Sequence, residues 1–489
     1  VIVATQIRQL GRESMIYGLA GAITSMIGVF LIPIYTRIFA PGDYGIAAII
    51  DTFVSVVSIC ATFGVPDATV RWYNDSNDPQ QQQKIISSWF WFQFVSSSVL
   101  AGGIILFAAP VAQLLCGRDD CTIIVRLAFL TLPANTASVV FVRWLRYQRR
   151  PWQTIGFTVT MALFTVAIVF LFVVVLRQGL PGLFTARLVS TSAGSLVSIF
   201  LLWNWLNLKA VSFVQLKGMF RYGVPIMLAS LALWGILYAN RFVLDFYHGK
   251  AQLGLYAIAG SIAGAAQLVV ASFQQAYVPF AFSILSHEHA DRVYARIFDV
   301  YAFIGCTLCT TITIFAPLFL SILANENYYA AATCVGFLTY VNLLDGAKSI
   351  ATLGPAIAKK SLPVLTSLIV GALVNIALAV ILVPAAGKEG AAFAVMIGYL
   401  ATVILLFKSS QQYHYLPYRW RPALMCLALS WTIMGIDHWL SLPMDIYGFI
   451  IRGGMLTMFI PLGLALGLVR LENIKQTFCR TQAAKARYK

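Results

Sequence analysis

Charge is what this sequence has least of. Only 11% of its 489 residues are charged, where a soluble domain carries roughly a quarter. Acids are scarcer still, 18 against 34 lysines and arginines. So few ionic side chains cannot cover a water-facing surface of this size, which excludes a large soluble enzyme. A phosphate-cradling loop is also absent. Gly249-Lys250 and Gly387-Lys388 are followed by Ala and Glu, whereas a P-loop ATPase needs Ser or Thr there. Histidine is rare, and His287-Glu288-His289 lies in a polar connection with no third ligand at helical spacing. Cys306-Thr307-Leu308-Cys309 falls inside an apolar run without a companion pair, so buried thiols are expected and not a zinc site. No metal and no cofactor is expected. Long polar connections are lacking too, which argues against a membrane polymerase or ligase with its catalytic groups in an external loop.

What is present is hydrophobicity: 60% of the residues and a mean hydropathy of +0.81. Continuous apolar runs of 18 or more residues recur throughout, long enough to cross about 30 Å of hydrocarbon as helices. A membrane β-barrel would instead show short alternating segments. The expectation is an all-α polytopic membrane protein with about 14 transmembrane helices. The first is expected near 14–38 and the last near 446–469. No cleaved signal peptide is expected, since the first run continues through Pro33 to Arg37.

The net charge of +16 could suggest nucleic acid, but its placement does not. Assigned to alternate sides of fourteen spans, 25 of the 34 cations fall on one side and about five on the other. Basic loops stay in the cytoplasm, so both termini are expected there. The basic side is then a topology signal and an attraction to anionic membrane lipids, with no nucleic acid.

The chain also repeats itself. Tyr17-Gly18, Arg37 and Gly45-Ile46-Ala47-Ala48-Ile49 return as Tyr222-Gly223, Arg241 and Gly254-Leu255-Tyr256-Ala257-Ile258. Arg149-Arg150 is likewise echoed by Lys359-Lys360. Six spans separate the copies, an even number, so the two halves are parallel repeats related by an axis along the membrane normal. The expected division is a six-helix lobe over 1–208, a second over 209–410, and two further helices with a basic tail over 411–489. Such lobes suit a transporter that rocks open to either side in turn.

Charge inside the membrane is costly unless it faces a cavity or a partner. Asp51 lies seven residues into the second span, roughly 10 Å below its outer end, and Arg187 is at similar depth in the sixth; both are expected to face a cavity. Arg37 and Arg241 occupy repeat-related places, which leaves snorkelling and a shared site on the axis both open. Asp345 and Lys348 are three apart, so they can pair on one helix face. Arg126 and Arg452 are expected to snorkel to the headgroups. Arg143 belongs to the basic run ending at Arg150 and is a further candidate. An arginine-lined cavity suits an anion, because guanidinium binds phosphate bidentately and keeps its charge. Cys116 and Cys121 bracket a short outer connection, where free thiols and a disulfide both remain open.

The stretch from Tyr17-Gly18 through Thr36-Arg37 to Asp43-Tyr44-Gly45 resembles the polysaccharide transporter family, the O-antigen and exopolysaccharide (Wzx-type) flippases. Arg146-Tyr147-Gln148-Arg149-Arg150 and Gly254-Leu255-Tyr256 resemble the same family. The likeness is diffuse but runs along essentially the whole chain. It implies an undecaprenyl-pyrophosphate-linked oligosaccharide as substrate, moved from the cytoplasmic to the periplasmic leaflet of the bacterial inner membrane. It implies a cavity lined by helices one, two, seven and eight, placing Arg37, Asp51, Arg241, Gln274 and Gln275 there. Polysaccharide polymerase and chain-length machinery would be partners. A multidrug antiporter or a lipid II flippase of the same superfamily is the alternative; the former would favour a buried acidic cluster, whereas the deep charge here is mixed.

Overall fold

The computed structural model describes residues 31–285, 289–440, 442 and 446–467. Tyr17-Gly18, most of the first expected span, His287-Glu288 and the basic tail from Arg470 lie outside the described residues. Among the described residues the chain is helical throughout, with no strand. It opens with α1 (Leu31–Ile38), α2 (Pro41–Thr62), α3 (Val65–Asn74), α4 (Pro79–Leu106) and α5 (Ala108–Cys116). Then come α6 (Thr122–Tyr147), α7 (Pro151–Val169), α8 (Gly179–Leu202) and the long α9 (Phe213–Ser283). The second half continues with α10 (Ala290–Ile314), α11 (Ala316–Leu323), α12 (Ala332–Ala351), α13 (Leu353–Ile357) and α14 (Leu362–Tyr413). It ends with α15 (Trp420–Leu440), α16 (Ile446–Thr457) and α17 (Phe459–Ala465).

Eleven of the helical segments are long and apolar enough to cross a membrane. Two of these, α9 and α14, each contain two membrane-length arms joined at a single glycine. Gly249 (φ 73°, ψ −177°) bends α9 and Gly387 (φ 53°, ψ −131°) bends α14. A side chain would be strained at either angle. The expected loops between spans seven and eight, and eleven and twelve, are thus one-residue corners. Counting the arms separately accounts for thirteen of the fourteen expected spans.

Backbone irregularities recur about 210 residues apart. Phe107 (φ −101°, ψ 28°) separates α4 from α5, and Phe315 (φ −96°, ψ 3°) separates α10 from α11. The cause is shared: Pro110 and Pro317 have no N–H to give and crowd the carbonyl four residues earlier, so each helix lets go there. At the ends of α6 and α13 a basic residue takes the left-handed conformation, Arg149 at φ 51° and Lys359 at φ 55°. The amide that follows closes each cap, Arg150 onto Leu145 at 3.0 Å and Lys360 onto Pro355 at 2.9 Å. Glycine usually fills this position.

In the first half, α4, α6, α7 and α8 pack on one another, whereas α2 and α3 lie chiefly along α9 of the second half. Glycines make that close approach possible. A Cβ on Gly45 would fall 1.9 Å from the Lys250 carbonyl oxygen, and one on Gly254 would fall 1.9 Å from that of Pro41. These two contacts are reciprocal, and the residues are the repeat partners read from the sequence. At the other end of α2, a Cβ on Gly64 would fall 2.1 Å from the Gly223 carbonyl oxygen. The Thr36 hydroxyl donates to Leu323 (2.9 Å) and that of Tyr328 to Phe39 (2.9 Å), tying α1 to the second half as well.

Candidate functional site: a charged cluster between α2, α8 and α9

Helical spacing assembles the site. On α2, Tyr44, Asp51 and Ser55 are seven and four residues apart, so they share a face with Thr52 beside them. On α9, Trp234, Tyr238 and Arg241 are spaced by four and three and form a facing stripe. Arg187 reaches in from α8, its Nη1 donating to both carboxylate oxygens of Asp51, at 2.7 and 2.9 Å. The Tyr35 hydroxyl stands beside the same guanidinium, which lies 5.1 Å from the Phe184 ring centroid. Across the gap, Arg241 Nη1 donates to the Thr52 hydroxyl at 3.1 Å and Trp234 Nε1 to that of Ser55 at 2.8 Å. The Arg241 guanidinium also lies 4.8 Å from the Tyr238 ring centroid.

The charge balance of this cluster favours an anion. One carboxylate faces two guanidinium groups, which leaves one positive charge. Arg241 Nε is buried without a hydrogen-bond partner, an arrangement that costs about 1–3 kcal/mol unless something accepts from it. The Asp51–Arg187 pair keeps 46% and 30% of its side-chain surface exposed, respectively. The pair is thus open on one side, so an incoming phosphate can reach the guanidinium and compete with Asp51 for it. Tyr238 and Trp234 add faces on which a sugar ring can lie.

A second polar cluster lies within the other half. Asp345 on α12 accepts from Lys348 Nζ (2.6 Å), from Gln267 Nε2 (3.2 Å) and Gln274 Nε2 (3.0 Å) of α9, and from the Tyr399 hydroxyl of α14. Lys348 also donates to that hydroxyl at 3.0 Å. Both charged side chains are only 19% exposed. The Asp345 carboxylate thus accepts from four donors, although Gln267 Oε1 is itself buried without a partner.

The sequence-derived candidates therefore separate into groups. Asp51, Arg187 and Arg241 come together; Gln274 and Lys348 belong to the second cluster; Gln275 is exposed on α9. Arg37 is exposed at the end of α1 and makes no hydrogen bond or ion pair with the first cluster, so the structure does not place it as the equal of Arg241. Arg143 is at the opposite end of the molecule, 2.9 Å from Asp67. Arg126 is exposed on α6. Arg452 does not snorkel: it is 4% exposed and its Nε bonds Asp437 at 2.8 Å. A carboxylate one helix away outcompetes the headgroup, because a buried arginine needs a partner. Cys116 and Cys121 are buried thiols, and burial pushes the Cys116 thiol up to about 12.

Sequence reasoning missed Tyr35, Tyr44, Thr52, Trp234, Tyr238 and Tyr399. The stripes on α2 and α9 were legible as helical spacing of polar and aromatic residues; the Tyr399 contact was not, since nothing local points α14 at α12. It also missed the fully buried Asp299, which Arg419 reaches from before α15.

Residues 34–333 match a family model described as polysaccharide biosynthesis protein. The succinoglycan biosynthesis transport protein ExoT of Rhizobium meliloti (strain 1021) is 21% identical over 266 residues. That alignment covers 53% of this chain and about half, 51%, of the relative. Among solved structures, the lipid II flippase MurJ in an inward closed conformation matches with a TM-score of 0.68 and 14% identity, over 93% of this chain and all of that one. An inward-facing multidrug resistance transporter of the MATE family, within the MOP superfamily, matches with a TM-score of 0.61 and 15% identity. It covers 82% of this chain and 94% of its own. These structural likenesses share the fold of polytopic transporters.

Proposed function

The chain belongs to the polysaccharide biosynthesis protein family, and on that premise we propose that it is a flippase. It moves an undecaprenyl-pyrophosphate-linked oligosaccharide, an O-antigen or exopolysaccharide repeat unit, from the cytoplasmic to the periplasmic leaflet of the bacterial inner membrane. Its termini are cytoplasmic. Residues 1–208 and 209–410 act as parallel lobes, and 411–489 add two helices and a tail. The recurring breaks at Phe107 and Phe315 and caps at Arg149 and Lys359 support that division.

The observation that carries the reading is Arg241 with an unpartnered Nε beside the exposed Asp51–Arg187 pair. The pyrophosphate takes Arg187 and Arg241 as grips, while Asp51 holds Arg187 in place when the site is empty. Sugars lie against Tyr238 and Trp234. We assign the grip to these two arginines; Gln274 and Lys348 belong to the Asp345 cluster, and Arg37 and Gln275 stand outside the grip. The lobes then exchange closure between the Gly45–Gly254 end and the Gly64–Gly223 end. Because the interior is negative, outward movement of a diphosphate is favoured by about 2.3 kcal/mol per charge per 100 mV. Anionic lipids, the polymerase and the chain-length machinery are the partners in this scheme.

The test is reconstitution of the full chain in vesicles containing the lipid-linked oligosaccharide, read as sugar made accessible to an external glycosidase. Wild type should expose it faster than empty vesicles, and R187A/R241A should not. Equal rates for wild type and the double variant would rule out the arginine grip.

A further inference from the structure

A polar pocket of about 280 Å³ lies at the other end of the first lobe, where α3 ends, α4 begins and α6 ends. Its lining includes Tyr73, Asn74, Asn77, Gln82, Tyr147 and Arg149. It is close to the lower end of small-molecule sites, about 300 Å³. None of its lining residues is acidic or aliphatic. Amides and hydroxyls that both donate and accept match the hydroxyls of a sugar. An acyl or isoprenoid chain would find no apolar wall there.

The pocket is held in shape before any ligand arrives. Gln82 Nε2 donates to the Ser76 carbonyl at 2.7 Å, pinning the turn between α3 and α4. Gln148 Nε2 donates to the Tyr73 hydroxyl at 2.6 Å, so that hydroxyl's own proton is free to point elsewhere. The Tyr73 and Tyr147 rings stand 5.0 Å apart. Arg149 occupies the left-handed cap position at φ 51°, a strained choice where glycine would relax the backbone. Arg149 itself is exposed and lines the pocket, and the Arg143–Asp67 pair belongs to the same end.

We propose that this pocket is a loading subsite, which takes the first sugar of the lipid-linked substrate with Arg149 on its pyrophosphate, before the headgroup moves to Arg187 and Arg241. The inference rests on the flippase reading and adds where the substrate is first recognised. Arg187 lies 15 residues before the Leu202 end of α8, roughly 22 Å along the helix, so the two sites hold the headgroup at different stages.

The experiment compares two probes on the full chain in lipid nanodiscs: undecaprenyl pyrophosphate, and the same lipid carrying one hexose. Wild type should bind the glycosylated lipid about tenfold more tightly, the value of two sugar hydrogen bonds. N74A should lose that preference while binding the bare lipid as wild type does. R149G should melt at the same or a higher temperature, since it relieves the strained cap, and yet bind both lipids about tenfold more weakly. Equal wild-type affinity for the two lipids, or a preference that survives in N74A, overturns the sugar site. Unchanged binding in R149G makes Arg149 a cap only and overturns its part. Wild type that binds neither lipid defeats the flippase reading itself, and this inference with it.

Discussion

The two intramembrane clusters are built from similar parts and differ in what surrounds them. Around Asp51 a carboxylate, two arginines and several aromatic rings meet between elements of both halves. The pair is partly exposed, and one guanidinium nitrogen has no partner. Around Asp345 a carboxylate, a lysine, a tyrosine and two glutamines meet within the second half, and every donor is aimed at the carboxylate. A partly exposed charge group with a free donor can take a new partner, whereas a buried carboxylate that already accepts from four donors cannot. The first cluster is suited to a travelling anion and the second to holding three helices together.

That contrast is most strongly tested by removing one charge from the buried cluster. Lys348→Met strands Asp345, at a cost of about 3–5 kcal/mol, which should appear as a sharp drop in the unfolding midpoint and in detergent-stable yield. Adding Asp345→Leu should recover most of that loss, because a buried pair replaced by apolar groups is often near neutral. A harmless Lys348→Met would erase the difference between the clusters.

The converse holds at the exposed cluster. Arg187→Ala or Arg241→Ala should cut glycan export roughly ten- to a hundredfold, the worth of one charge-assisted contact, with an unfolding midpoint near that of wild type. Arg241→Lys keeps charge but loses the planar fork, so export should fall between alanine and wild type. A lysine that works fully would point to simple charge anchoring. If either alanine variant instead melts early, the exposed cluster is structural like its counterpart.

A several-fold effect is expected where the lobes meet. Gly45→Ala or Gly254→Ala pushes a methyl into a carbonyl 1.9 Å away, so the two helices must part at that end. Thr52→Cys should then be labelled several times faster by an impermeant maleimide added outside than in the glycine background. Unchanged labelling would show that closure does not depend on this contact.

The smallest effect concerns Cys116 and Cys121 beyond the same end. Both are buried thiols, and Cys116 is held at about 12. A raised value keeps the thiol protonated and inert through neutral pH. Labelling of Cys116 should be slow at pH 7, unaffected by reductant, faster as pH rises and complete in detergent. A burst of labelling only after reduction would reveal a disulfide.

Much of the architecture was legible from spacing alone. Apolar runs marked the spans, and the Gly45 and Gly254 echoes picked out two residues that the structure sets in reciprocal contact. Arg149 and Lys359 stood out as basic pairs, although nothing in the sequence shows that both adopt the left-handed cap. Arg37 and Arg241 looked equivalent by offset, yet only Arg241 turns inward to Thr52. Arg452 looked like an anchor until the fold brought Asp437 beside it.

By itself the sequence determined that the chain is helical and membrane-embedded, because every backbone amide in hydrocarbon must bond within its own segment and only long apolar helices satisfy that locally. It also determined where charge is confined inside the membrane. Which charges meet was decided by tertiary structure alone. Arg187 and Asp51 are 136 residues apart, and Arg241 finds Thr52 only because glycines let α2 approach α9 so closely. Helix formation is set by neighbours along the chain, but partner choice between helices depends on crossing positions that no local pattern encodes.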